Sequence, residues 1–165
     1  MASGFKSSAD DDPEYRTRSL ALKLLARREH SRQELSLKLL KRKLPRDLIE
    51  VVLDEYEVNG WLDDLRFADI YARQRMESGY GPLKIESELQ KRGIFSRPEC
   101  MREASDRDWF MLALNARRRR FGIADEALEW DQKVKQGRFL AQRGFTGEQA
   151  EQALSARSGD HVEED

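Results

Sequence analysis

The residues with the clearest chemical character are cations. Lys41–Arg42–Lys43, Lys91–Arg92 and the pair Arg138 and Arg143 stand near the ends of three similar runs, and Arg117 to Arg120 form an unbroken arginine series. Such side chains bind phosphate and carboxylate groups. They also favour helix C-termini, where a cation contributes about 0.3–1 kcal/mol, so helix-end placement is the competing explanation. Four successive residues at ~100° per step wrap most of the way round a helix. The arginine series therefore cannot form one flat patch, and at least one member is expected to pack its stem over a neighbouring helix.

Other chemistries find little support. No G-x-x-x-x-G-K-[ST] phosphate loop is present. The glycines of "GYG" at 79–81 are followed by Pro82 rather than by a phosphate-cradling turn. With two histidines, His30 and His161, and one cysteine, Cys100, a structural zinc site lacks ligands and no metal is expected. Cys100 cannot form an internal disulfide and fits a reducing compartment; next to Met101 it reads as a small buried residue. No nucleophile–base pair is convincing, and carboxylate pairs such as Asp63–Asp64 read as helix caps. The expectation is a binding protein, not an enzyme.

The cations must be positioned by helices. "GYGPLKIESELQKRGI" (79–94) opens with Pro82, which suits a first helical turn. Leu83, Ile85 and Leu89 follow at amphipathic spacing. Gly93 fits the left-handed position after a helix, which brings Leu89 and Ile94 together. About fifty residues upstream, Leu39 and Leu44 occupy the same places, with Lys43 where the glycine stood. About fifty residues downstream stand Leu140, Gly144 and Phe145. A period of this length suggests tandem helical units. Lys43 in a left-handed conformation costs roughly 1–2 kcal/mol, so the first of these helices is expected to end differently. Gln136 falls where Leu35 and Ile85 are apolar.

Further signals fill in the rest. Ser31–Glu34, Ser96–Glu99 and Thr146–Gln149 have capping-box spacing. Asn59–Gly60 ends a helix and places Trp61 against Tyr56, and Gly122 ends the helix that carries the arginine series. The expected architecture is all-α: about nine helices in three three-helix repeats, over 15–64, 65–108 and 109–157, forming an elongated, curved array. No apolar run reaches the ~20 residues of a membrane span, and the N-terminus lacks the pattern of a signal peptide.

The net charge of −1 conceals segregation. Segments 1–14 and 158–165 are acidic and read as disordered, solvated tails, with shielding of a basic surface as the functional alternative. Without them the body holds 29 basic and 23 acidic residues, a net of +6.

"NGWLDDLRFADIYARQR" (59–75), "GYGPLKIESELQKRGI" (79–94) and "KVKQGRFLAQRGF" (133–145) resemble the RecX family of bacterial regulatory proteins. The resemblance covers about Leu20 to Leu154. It implies three tandem three-helix repeats and a cytoplasmic, monomeric modulator of the RecA recombinase, with no membrane association and no cofactor. Such a modulator lies in the groove of the RecA–DNA filament and limits filament extension, ATP hydrolysis, strand exchange and RecA-assisted repressor cleavage, processes of DNA repair, recombination and the SOS response. Direct contact with single- or double-stranded DNA is left open. The candidate contacts to partner or DNA are Lys41, Arg42, Lys84, Lys91, Arg92, Arg117, Arg118, Arg138 and Arg143. The rival reading is a stand-alone helical nucleic-acid-binding protein that uses helix 83–92, where Lys84, Gln90, Lys91 and Arg92 offer polar side chains.

Overall fold

The computed structural model describes residues 12–123 and 125–157. Most of the two acidic tails lies outside these residues. Among the described residues there are nine helices and no strand: α1 (Pro13–Arg27), α2 (Arg32–Lys41), α3 (Arg46–Val58), α4 (Asp64–Glu77), α5 (Pro82–Gln90), α6 (Glu99–Glu103), α7 (Asp106–Phe121), α8 (Trp130–Gln142) and α9 (Gly147–Ser155). None is long and apolar enough to cross a membrane. The helices form two compact units. The first holds the described residues up to Ala68 together with Arg92–Ile94; the second holds Asp69–Lys91 and the described residues from Phe95 onward.

In the first unit α1, α2 and α3 pack around Ala21, Leu35, Leu39, Ile49, Val52, Leu53 and Tyr56, all fully or almost fully buried. Ser31 and Glu34 form the expected capping box at the start of α2. Of the two candidate caps for α4, Asp63 does that work: its Oδ1 accepts from the N–H groups of Leu65 (2.9 Å) and Arg66 (3.1 Å). Asp64 instead accepts from the N–H of Arg32 (2.7 Å) and so caps α2 from a distance. The clasp after α3 is as expected. Trp61 N–H donates to Tyr56 O (2.9 Å), and the two rings meet edge to face at 5.2 Å.

The end of α2 departs from expectation. Lys43 adopts φ +60°, the left-handed conformation, despite its Cβ. Its N–H bonds Leu40 O (2.9 Å), and Leu44 N–H reaches Leu39 O (3.4 Å). The buried Leu44 and these two bonds outweigh the backbone cost. Gly93 has φ +81°, and Leu89 and Ile94 are both buried.

In the second unit α7, α8 and α9 pack against one another. The boxes Ser105–Asp108 and Thr146–Gln149 start α7 and α9. Ser96 does not cap α6, which begins at Glu99 after Pro98. A box from Ser96 would need Arg97 in the first helical turn, and a residue before proline is pushed out of the α region. Cys100 is half-buried: its N–H donates to Asp69 Oδ1 (2.9 Å), and burial pushes its thiol up to about 11.

Candidate partner-binding surface

The second unit gathers its free cations where one helix ends against the start of another. α8 stops with Gly144 at φ +91°. Helix ends leave carbonyls without internal partners, and helix starts leave N–H groups without partners. Here each supplies the other: Gly81 N–H donates to Arg143 O (2.8 Å) and Leu83 N–H donates to Gly144 O (2.9 Å). The positive end of the α5 dipole meets the negative end of α8. The approach needs bare backbone. A Cβ on Gly81 would stand 2.4 Å from Gly144 C, and one on Gly144 would overlap Lys84. Pro82 follows at N1, where its missing N–H leaves nothing unpaired.

This junction fixes Tyr80 among three cations. The guanidinium of Arg75 lies 3.7 Å from the ring centroid, that of Arg143 4.7 Å, and Lys84 Nζ 5.0 Å. An aromatic ring attracts each cation, but the cations repel one another. Arg75 is balanced by a carboxylate, through Nη2 to Glu88 Oε1 (2.7 Å), whose charge Lys84 also feels. Burial works to raise the Glu88 pKa, yet the bonds from Arg75 and Tyr71 hold it below the ordinary carboxylate value.

Beside Tyr80, the end of α7 and the end of α8 enclose a recess of about 150 Å³, lined by Ser78, Gly79, Ala116, Arg119, Arg120, Phe139 and Arg143. Phe121 and Phe139 meet edge to face at 5.3 Å and hold the two helix ends together. Among the described residues no carboxylate lies within ion-pair distance of Lys84, Arg118, Arg119, Arg120, Arg138 or Arg143. A cationic rim with aromatic walls suits phosphate or carboxylate groups on an extended partner. Among the described residues there is no cluster of His, Cys, Asp and Glu placed to hold a metal.

The first unit has its own basic recess, of about 310 Å³, where Arg16 and Lys23 of α1 face Arg42 after α2, with Tyr15, Leu20 and Leu44 beside them. Arg42 is exposed there, and Lys41, the residue before it, is exposed as well. Lys91 is exposed and Arg92 half-buried, and each engages another residue.

Arg117 is a correction to the candidate set. It is 1% exposed and faces the interior. Nε donates to Gln136 Oε1 (2.8 Å), and Nη1 donates to Ala153 O (2.8 Å) and Ala156 O (2.9 Å). Among the described residues no carboxylate pairs with it; burial lowers its pKa, and carbonyl dipoles at the end of α9 supply the acceptors. The arginine expected to pack inward is therefore Arg117, and Gln136, 5% exposed, is polar because it accepts from it. Arg118, Arg119 and Arg120 remain outside.

Sequence reasoning missed Arg119, Arg120, Tyr80 and Phe139. The one available signal was helical phase: if Arg117 turns inward, Arg119, about 200° further round the helix, faces away from it.

Three family models match: the first three-helix domain of RecX over residues 18–55, the second over 63–95 and the third over 106–154. The chain is 39% identical to the regulatory protein RecX of Halorhodospira halophila over 87% of this chain and 89% of that protein. It is 43% identical to the regulatory protein RecX of Xanthomonas axonopodis pv. citri over 77% of this chain and 78% of that one. Its fold matches the crystal structure of RecX from Lactobacillus salivarius, with TM-score 0.72 and 18% identity, covering 87% of this chain and 95% of that one. A second crystal structure, of regulatory protein RecX, gives TM-score 0.74 at 20% identity over 90% and 76%. The chain belongs to the RecX family of regulatory proteins.

Proposed function

We propose that this protein binds the RecA–DNA filament and restrains its ATPase, strand exchange and co-protease activity, acting in the cytoplasm as a monomer of three repeats (15–64, 65–108 and 109–157) without a cofactor. Family membership supports the regulatory role. The observation that carries the contact surface is the set of cations without carboxylate partners around Tyr80 and the recess between α7 and α8. These groups offer the filament several weak charge contacts, each worth about 0–1 kcal/mol. Lys84, Arg118, Arg119, Arg120, Arg138 and Arg143 act here in the second unit. Lys41 and Arg42 act in the first, and Lys91 and Arg92 supply further positive charge.

The test is RecA ATPase on single-stranded DNA, with and without the protein. Wild type inhibits, and the effect fades as salt rises. Single alanine changes have little effect. The variant Lys84→Glu/Arg119→Glu/Arg120→Glu, shown to be folded by circular dichroism, inhibits at least about tenfold more weakly, the equivalent of three lost surface contacts with added repulsion. Equal inhibition at low salt would place the contact elsewhere. Sequence-selective DNA binding without RecA would favour the stand-alone nucleic-acid reading.

A further inference from the structure

We propose that the groove between α4, α6 and α7 is a docking site for a basic amphipathic segment of a partner protein, which seats an apolar side chain on its floor and Lys or Arg side chains on its acidic rim. The groove is a recess of about 550 Å³, within the ~300–1,000 Å³ common for binding clefts. All of its lining residues belong to the second unit.

Two helices build it by the same spacing. Arg73, Met76 and Glu77 of α4 stand at i, i+3 and i+4, and so do Asp108, Met111 and Leu112 of α7. Residues so spaced share one face of a helix. On α7 this is not the face that holds the unit together. Arg117 is turned toward α8 and α9, Ala113 lies one turn before it, and both are buried. Met111 and Leu112 lie about half a turn round from them. Met76, Met111 and Leu112 are accordingly only half-buried, and with Ala104 they give the groove an apolar floor. Methionine is unbranched and polarizable, so it adapts to apolar groups of varied shape.

The rim fixes the sign of the occupant. It carries Glu77, Glu103 and Asp108 against one cation, Arg73, whose Nε already pairs with Asp69 Oδ2 at 2.8 Å. Arg102 and Arg107, neighbours in sequence, are not on the lining. Asp108 has a local purpose, since its Oδ2 accepts from Ser105 N–H (2.9 Å) at the start of α7. Glu77 and Glu103 have none of this kind. Each is the last residue of its helix, where the negative end of the dipole disfavours a carboxylate. Arg73 feels the charge of Glu103, but among the described residues neither glutamate has a cation within ion-pair distance.

A rim of this sign repels nucleic acid and anionic lipid. Among the described residues no set of His, Cys, Asp and Glu is placed to hold a metal ion. A small hydrophilic cation leaves the floor uncovered. An apolar side chain flanked by Lys or Arg satisfies floor and rim together. The docking does not depend on the filament reading, which concerns a surface that attracts anions.

NMR of isotope-labelled methionine methyl groups in the full-length chain tests it. The probe is a synthetic amphipathic peptide of Leu and Lys. At low salt it should move the Met76 and Met111 signals to saturation and leave that of the buried Met101 in place. Glu77→Gln/Glu103→Gln, shown to be folded by an unchanged Met101 signal, should weaken binding about fivefold, and salt of about 0.5 M should weaken wild type similarly. A matching peptide of Leu and Glu, one of Ala and Lys, and spermine should each bind at least about tenfold more weakly. No movement with the Leu–Lys peptide overturns the proposal, as does equal affinity of the double variant. Equal binding of the Leu–Glu peptide would remove the role of charge, equal binding of the Ala–Lys peptide would remove that of the floor, and equal binding of spermine would make a small cation the occupant; each overturns it too. Neither RecA nor DNA is present, so failure here is distinct from failure of the filament reading.

Discussion

Replacing Gln136 by Leu restores the apolar residue that the helical repeat leads one to expect at that position, yet it should destabilise the second unit. Gln136 Oε1 is the acceptor for Arg117 Nε at 2.8 Å, in a site where both residues are at most 5% exposed. Removing it leaves a buried, charged donor unsatisfied, at a cost of about 2–3 kcal/mol. Arg117→Met leaves Gln136 and the carbonyls of Ala153 and Ala156 without their donor. It removes the buried charge itself, and its cost is again about 2–3 kcal/mol. If the two changes were independent, the double variant would lose about 5 kcal/mol. Because they share one bond, Arg117→Met/Gln136→Leu should lose about 3, a coupling of roughly 2 kcal/mol. Urea unfolding of the full-length protein measures this. Fluorescence reports on the second unit through Trp109, which is 3% exposed on the same helix as Arg117. Costs that add to within about 0.5 kcal/mol would show that the bond carries no energy and refute the reasoning. A folded double variant should still inhibit RecA as wild type does, since Arg117 faces inward. Lost inhibition would return Arg117 to the contact surface.

Gly81→Ala should destabilise the second unit by about 1–3 kcal/mol in the same unfolding assay, because its Cβ meets the Gly144 backbone at 2.4 Å and one helix end must move. Lys43→Gly should stabilise the first unit by about 1 kcal/mol by relieving the left-handed strain at φ +60°; a loss of stability would mean that the lysine side chain holds that turn. His30 is buried, with Nδ1 3.0 Å from Arg28 O and Nε2 2.8 Å from Lys38 Nζ. Burial lowers its pKa, aided by the charges of Arg28 and Lys38. The unfolded chain therefore takes up the proton first as pH falls. This contribution is fully present above about pH 6.5 and is lost below it, with a slope of at most about 1.4 kcal/mol per pH unit. Unfolding at pH 7 and pH 5 should differ more for wild type than for His30→Gln, and equal slopes would exclude His30 as the source.

What could be read from the sequence was local. Ser31 and Glu34 stand three residues apart, as do Thr146 and Gln149, and each pair closes its own turn. Tyr56, Gly60 and Trp61 form a stop within six residues. What could not be read joins distant segments: Arg117 with Gln136, Asp64 with Arg32, His30 with Lys38. Asp63 and Asp64 show the limit plainly. Adjacent and chemically identical, they cap two different helices, and no spacing rule separates a carboxylate that serves its own helix from one that serves another. Lys43 shows the reverse case, where a correct local cost was outweighed by the burial of Leu44, a neighbour in sequence but a core residue in space.

The same distinction bears on the cations, whose helix-end placement first suggested a purely local purpose. A cation at a helix C-terminus stabilises carbonyls that lack partners. At the end of α8 the carbonyls of Arg143 and Gly144 already accept from Gly81 and Leu83. The dipole there is met by the N-terminus of α5, so the helix has no remaining need of the Arg143 charge. The Arg143 side chain instead lies along Tyr80 and Phe139, at 4.7 and 5.1 Å, on the edge of a recess that also holds Arg119 and Arg120. Placing cations together without carboxylates costs stability through repulsion. Local helix chemistry does not repay that cost at α8. A partner that brings negative charge would, and this is the physical ground for proposing the surface as a binding site.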